Sequence, residues 1–236
     1  MGAHDIEFFD LLLLHPERME SFNEGMAGMS IPVAATYKFD ELRTEEGGVV
    51  MVDTGGGKGQ TTLEIRNAYP NMRGRFVLQD LKPVLDAGVI VSPDEVGVQP
   101  YNFLAKVQPI KGDCLPLRAH VWQRRLTNCP TAGAAAYFFK AIFHDWLDAE
   151  CRMNLCNLTP AMKGQRSKLL ICDLVILDRQ PELRKVLLDM NMLFITGKER
   201  SVKQWRELLG GEGFLIEKIH GLHNPGNSVI EAVLRD

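Results

Sequence analysis

The segment from Val49 to Gly59 limits what this chain can fold into more than any other. Val49-Val50-Met51-Val52 is a short apolar run without alternation, the pattern of a strand buried on both faces. It runs into Asp53-Thr54-Gly55-Gly56-Gly57-Lys58-Gly59, and a helical pattern follows over 61–68. Glycines at 55, 57 and 59 permit positive φ and let the backbone come close to a ligand. Strand, glycine turn and helix in that order begin a βαβ unit, which implies a parallel sheet.

The rest of the chain keeps this alternation. The pattern predicts strands over 75–80, 134–140 and 168–173, and helices over 82–87, 147–162, 184–195 and 202–209. Segments 214–219 and 229–234, joined through Asn224-Pro225-Gly226-Asn227, are too close for a crossover and are expected to pair antiparallel. The fold class is therefore α/β, a Rossmann-like, mostly parallel sheet with an antiparallel C-terminal strand and helices on both faces. Residues 1–45 read as a helical linker or cap with Phe8, Phe9, Leu12 and Leu13 at helical spacing, and 46–236 as one ligand-binding domain. The stretch 101–134 breaks the pattern. Within 111–133, Lys111, Arg118, Arg124 and Arg125 stand against Asp113 alone, and a crossover helix and a surface insertion fit it equally well.

Composition narrows the partners. With 45% hydrophobic and 24% charged residues, the chain has the make-up of an ordinary globular protein. A net charge of −3 gives no basis for general binding to nucleic acid, so a small molecule is the expected partner. The 5 cysteines, Cys114, Cys129, Cys151, Cys156 and Cys172, are odd in number and include no C-x-x-C pair. They read as reduced thiols, neither a disulfide framework nor a zinc site. Leu11–Leu14 is the longest N-terminal apolar run, far short of a membrane span, and acidic residues precede it where a signal peptide needs basic ones. Ile6 stands where a myristoylation signal needs Ser or Thr. A cytoplasmic location is expected.

Two clusters carry the chemistry. A dinucleotide fingerprint would need glycine at position 60, where the chain has Gln60. Asp53, two residues before the first glycine, suits a cationic amino-acid-like ligand. Asp80, at the end of the next strand, suits the two hydroxyls of a ribose. Together they suggest S-adenosylmethionine. The second cluster, Tyr137 to Trp146, runs a buried strand into His144. Alone, His144 is either a satisfied structural histidine or a base. Asp173 and Glu199, at comparable strand or loop ends, favour the base, because an imidazole held by carboxylates keeps one tautomer and gains basicity.

On these motifs the chain resembles the catalytic domain of the plant and fungal small-molecule O-methyltransferases, the caffeate, flavonoid and sterigmatocystin type. The matching pieces are VDTGGGKG at 52–59, FVLQDLKPV at 76–84, YFFKAIFHDWLD at 137–148, LLICDLVI at 169–176, LLDMNMLFITGKERS at 187–201 and WRELLGGEGF at 205–214. The resemblance implies that Asp53, Gly55, Gly57 and Gly59 hold the methionine part of the cofactor. Asp80 would bind its ribose, Leu81 would lie beside the adenine, and Lys140 near the adenine or its neighbouring hydroxyl. His144 would be the general base, flanked by Asp173 and Glu199. Trp146, Met190 and Asn191 would line the cofactor and acceptor pockets, although core packing explains Trp146 and Met190 equally well.

The implied reaction is in-line displacement, in which an acceptor hydroxyl, deprotonated by His144, attacks the sulfonium methyl without a metal. The acceptor class would be a small aromatic or polyketide-like metabolite; a histidine base could also serve carbon or nitrogen acceptors. The family's N-terminal winged-helix dimerisation domain has no counterpart here, and residues 113–133 read as an insertion. An excised domain, a chain working beside a partner and a truncated product all fit, and the N-terminal helices are the expected route to a homodimer or partner chain. An inactive relative that keeps the cofactor pocket as a scaffold is the alternative.

Overall fold

A computed structural model describes residues 14, 15, 17, 18, 21, 32–86, 88–92, 96–100, 131–193 and 197–235. The expectations for Phe8, Phe9, Leu12 and Leu13, for Cys114 and Cys129 and for residues 113–130 fall outside them. The chain divides into two compact units, Met1–Pro32 and Val33–Asp236, and the architecture below is that of the second.

Its elements are β1 (Val49–Thr54), α1 (Gln60–Ala68), β2 (Arg75–Asp80), α2 (Lys82–Asp86), β3 (Val96–Pro100), β4 (Ala136–Lys140), α3 (Asp148–Met162), β5 (Lys168–Asp173), β6 (Val175–Ile176), α4 (Leu183–Met192), β7 (Arg200–Ser201), α5 (Val202–Gly211), β8 (Phe214–His220) and β9 (Ser228–Leu234). Seven of these strands form one sheet in the order β3-β2-β1-β4-β5-β9-β8. β1 to β5 run parallel, whereas β9 pairs antiparallel with both β5 and β8. This is the expected fold class, a Rossmann-like, mostly parallel sheet with an antiparallel C-terminal strand.

The order reverses between β1 and β4, so the loops after these two strands diverge and leave a crevice at their carboxyl ends, where open α/β sheets bind ligands. Strand alternation divides the core in two. Tyr137, Phe139, Leu169 and Ile171 face α3 and α5, where Leu155, Leu158, Trp205 and Leu208 cover them. Ala136, Phe138, Leu170 and Cys172 face Ile65 of α1 and the segment bearing Val33, Tyr37 and Phe39.

Three elements were not legible in the pattern. β3 contains Gly97 and ends at Pro100, residues that read as a turn; as an edge strand it tolerates both. β6 and β7 are two residues each, too short for any period, and pair parallel through Val175–Arg200 and Ile176–Ser201. α3 also keeps Pro160 inside its last turn.

Candidate active site

The glycine turn is held by the protein's own contacts. Gly55, Gly57 and Gly59 have φ of 73°, 60° and 94°, the left-handed region in which a Cβ is strained. A Cβ at Gly55 would collide with Ile142 from the loop after β4, and one at Gly56 would stand 2.6 Å from the Asp53 carboxyl. The amides of Gly55 and Gly56 donate to the Gln79 carbonyl at 2.7 and 3.3 Å, and that of Gly57 to Asp80 Oδ2 at 2.7 Å. The ends of β1 and β2 are thus joined into one surface.

Asp53 lies beneath that turn, 1% exposed. Its Oδ2 accepts from the Thr62 hydroxyl at 2.7 Å, while Oδ1 has no hydrogen-bond partner among the described residues. Burial raises its pKa to about 6, with Thr62 and the Lys140 charge acting against the rise. Asp80 is more open, and its Oδ1 accepts from the Leu81 amide at 2.6 Å. Burial raises this pKa as well, opposed by the Gly57 and Leu81 amides. Each Asp80 oxygen retains a lone pair, enough for two hydroxyl donors. Leu81 is exposed beside it. Lys140 ends β4 and donates from Nζ to Thr61 Oγ1 at 3.3 Å, so it lies against the start of α1.

After Lys140 the chain leaves the sheet through Ala141, whose φ of 54° is costly for a residue with a Cβ. A 3-10 turn, Phe143–Asp145, follows and carries His144. His144 Nδ1 stands 2.9 Å from Glu199 Oε1, and Nε2 stands 3.5 Å from Asp145 Oδ1. The imidazole is 9% exposed. Burial pushes its pKa down. The Glu199 hydrogen bond and the charges of Asp173, Glu199 and Asp145 outweigh this and lift it to about 10. Asp173, fully buried at the end of β5, has neither oxygen hydrogen-bonded among the described residues. It acts on His144 through its charge alone. Burial raises its pKa to about 6, against the pull of His144. Of the two carboxylates expected beside the ring, one therefore touches it and the other does not.

Asp145 is a third carboxylate, also pushed to about 6 by burial. Sequence reasoning passed over it, although it adjoins His144. It passed over Asp189 as well, whose Oδ1 accepts from the Glu199 amide at 2.8 Å, and Arg200, read only as part of the GKER block. Trp146 is half-buried against the α3–α5 core, while Met190 and Asn191 lie exposed on α4. Among the described residues no group of three or more His, Cys, Asp or Glu side chains is arranged to hold a metal ion.

An O-methyltransferase domain model matches residues 121–215. O-methyltransferase asqN of Emericella nidulans is 35% identical over 226 residues, covering 94% of this chain and 68% of its own length. The chain belongs to the O-methyltransferase family. It spans about half the length of other O-methyltransferases it matches, 54% and 45% in two fungal cases. Two solved structures extend the likeness of this O-methyltransferase family member to three dimensions. OxaC in complex with sinefungin and meleagrin superposes with a TM-score of 0.75 at 26% identity, over 97% of this chain and 54% of that one. A protein described as a pericyclic reaction enzyme superposes with a TM-score of 0.77 at 26% identity, over 98% and 56%.

Proposed function

We propose that the chain is the catalytic domain of a cytoplasmic, S-adenosylmethionine-dependent O-methyltransferase acting on a hydroxyl of a small aromatic or polyketide-like metabolite. The observation that carries this reading is an imidazole held at Nδ1 by Glu199, with Asp145 3.5 Å from Nε2, beside the glycine turn at the sheet's switch point. The turn fits the cofactor. Gly55 and Gly57 leave room for backbone approach, Asp53 Oδ1 is a buried oxygen available to an ammonium or ordered water, and Asp80 offers two fixed acceptors to a diol. Leu81 lies beside Asp80, where an adenine would extend, and Lys140 reaches the start of α1. The cofactor supplies a methyl group on a cationic sulfur, already a good electrophile.

The protein's own task is then to hold the acceptor and take its proton. His144 Nε2, with Asp145 Oδ1 3.5 Å away, is the nitrogen not engaged by Glu199, so it receives the proton as the acceptor oxygen becomes nucleophilic. The imidazolium formed is stabilised by Glu199 in contact and by the charges of Asp173 and Asp145. Met190, Asn191 and Trp146 are assigned to the acceptor wall on the family resemblance. The N-terminal helices expected ahead of Val33 are assigned to association with a second copy or a partner chain, whereas Val33, Tyr37, Phe39 and Leu42 belong to the core of the second unit. A monomer by light scattering at every concentration tested would remove that assignment.

The first test is calorimetric titration of the chain with S-adenosylhomocysteine, using Asp80→Ala as control, followed by methyl transfer to a panel of phenols. Binding that the control loses, with transfer that falls by about 10²–10⁴-fold in His144→Gln, is expected. No binding by the folded chain rejects the reading.

A second reading is favoured by the likeness to a pericyclic reaction enzyme and by the raised His144 pKa, which leaves the ring protonated near neutrality. Here the chain binds the cofactor without transferring its methyl group. Cofactor binding with no transfer to any acceptor supports it.

A further inference from the structure

The GKER segment does more in this structure than supply Glu199. Arg200 is fully buried and its guanidinium makes a planar set of contacts around the histidine turn. Nη1 donates to the Phe143 carbonyl at 2.7 Å and Nη2 to the Trp146 carbonyl at 2.7 Å. Nε and Nη2 donate to Asp148 Oδ1 at 3.0 and 2.8 Å, and the cation lies 5.3 Å over the Trp205 ring. The Lys198 amide donates to the His144 carbonyl at 2.8 Å. Residues 198 to 200 therefore take the carbonyls of 143, 144 and 146, while Glu199 takes the ring.

A three-residue turn cannot hold itself. Its own closing bonds, Asp145 N–H to Ile142 and Trp146 N–H to Phe143, are long at 3.2 and 3.3 Å. The Phe143 carbonyl takes only the longer of these bonds within the turn, and the carbonyls of His144 and Trp146 look outside it for donors. A buried guanidinium in turn needs a counterion and partners for its N–H groups, and it finds them in Asp148 and these carbonyls. Each side solves the other's problem.

We propose that Arg200, anchored by Asp148, is a positioning residue for His144: its fork fixes the Phe143–Asp145 turn so that the imidazole stays on Glu199 with Nε2 turned to the acceptor. The β6–β7 ladder carries Arg200 to this place, beside the end of β5. The planar fork is required, because a lysine ammonium is a single point of charge that cannot span both carbonyls and the carboxylate. The inference rests on the reading of His144 as the base, but its geometry is testable without turnover.

The test uses the whole chain with Arg200→Lys and Asp148→Asn. Three quantities are measured: affinity for S-adenosylhomocysteine by calorimetry, the His144 titration by imidazole NMR, and kcat and KM for an accepted phenol. The charged groups facing the ring are Glu199 from the segment before β7, Asp145 from its own turn and Asp173 from β5, with Arg200 behind. Both variants are expected to keep cofactor affinity and to move the His144 titration to lower pH as the Glu199 contact loosens. A misplacement of the base should lower kcat by about 100-fold with KM little changed.

Folded variants with an unaltered His144 titration and unaltered kcat overturn the proposal. So does a loss of cofactor affinity in step with kcat, which would make Arg200 a support of the whole domain. Should Arg200→Lys fail to fold, Asp148→Asn decides, because the Asp148 side chain is 45% exposed and its loss is tolerable. If the unaltered chain transfers no methyl group, the proposed function fails while the NMR titration still decides the positioning.

Discussion

A carboxylate buried with neither oxygen hydrogen-bonded destabilises the fold that carries it, and Asp173 is such a group among the described residues. Its pKa rises from 3.8 to about 6 because burial penalises the charge more than His144 repays. Below pH 4 the folded and unfolded chains both hold this proton and the group contributes nothing. Between about pH 4 and 6 only the unfolded chain gives it up, so stability falls across that window and then levels off, lower by about 3 kcal/mol at neutrality. Asp173→Asn should therefore raise the urea midpoint at pH 7.5 and leave it nearly unchanged at pH 4. The same variant should move the His144 titration to lower pH, because the imidazolium loses one of its three negative neighbours. Equal midpoint shifts at both pH values would mean that packing, not charge, is the cause. Gly197 makes a second residue-scale case. A Cβ there would clash with the His144 carbonyl, a backbone atom with little freedom to yield. Gly197→Ala should displace the histidine turn, lowering kcat by about 10-fold or more while cofactor affinity holds.

Between residues and the whole, β5, β9 and β8 are tied by one side chain. Glu231 of β9 accepts from Lys168 of β5 and stands 2.7 Å from His220 Nε2 of β8, with the Tyr37 ring edge-on to His220. The glutamate pKa is lowered: burial opposes this, but the Lys168 and His220 contacts prevail. A lowered carboxylate pKa stabilises above the unfolded value of 4.5 and loses that contribution as pH falls below it. Glu231→Gln should cost about 1–3 kcal/mol at pH 7, and the difference should close near pH 3 in denaturant melts. Nothing in the sequence pairs these three residues, because cross-strand partners depend on register. Elements with their own period were legible. β2 and β5 fall where their apolar runs place them, and the antiparallel close follows from a turn too short for a crossover. β3 was hidden by Gly97 and Pro100, and β6 and β7 by their length. The site divides along the same line. His144, Glu199 and Asp173 stand near strand or loop ends and could be chosen by position, and Asp145 adjoins His144, whereas Asp189 and Arg200 matter only through contacts made in the folded chain around Glu199 and the histidine turn.

On the scale of the whole molecule, the sheet order brings the ends of β1, β2, β4 and β5 to one edge, and with them Asp53, Asp80, Asp145, Asp173 and Glu199 around a single imidazole and Lys140. Such a concentration of acids holds positive charge, and here it holds a proton on His144, whose pKa is raised to about 10. A raised histidine pKa stabilises the fold fully below the unfolded value of 6.5, and that contribution drains away as pH rises towards 10. The same proton blocks a general base. Under the proposed function, kcat/KM reports on the free protein and should climb with pH towards the alkaline value of the ligand-free site. A bound sulfonium adds a positive charge to the same acidic edge, which favours loss of the imidazole proton. The kcat profile, which reports on the fully loaded site, should therefore reach its plateau at lower pH than kcat/KM. Steady-state rates with one phenol across the range from acid to alkaline pH test this order. A kcat limb at or above the kcat/KM limb would mean that the cofactor's charge does not reach His144, and the shared acidic edge would then serve binding but not proton removal.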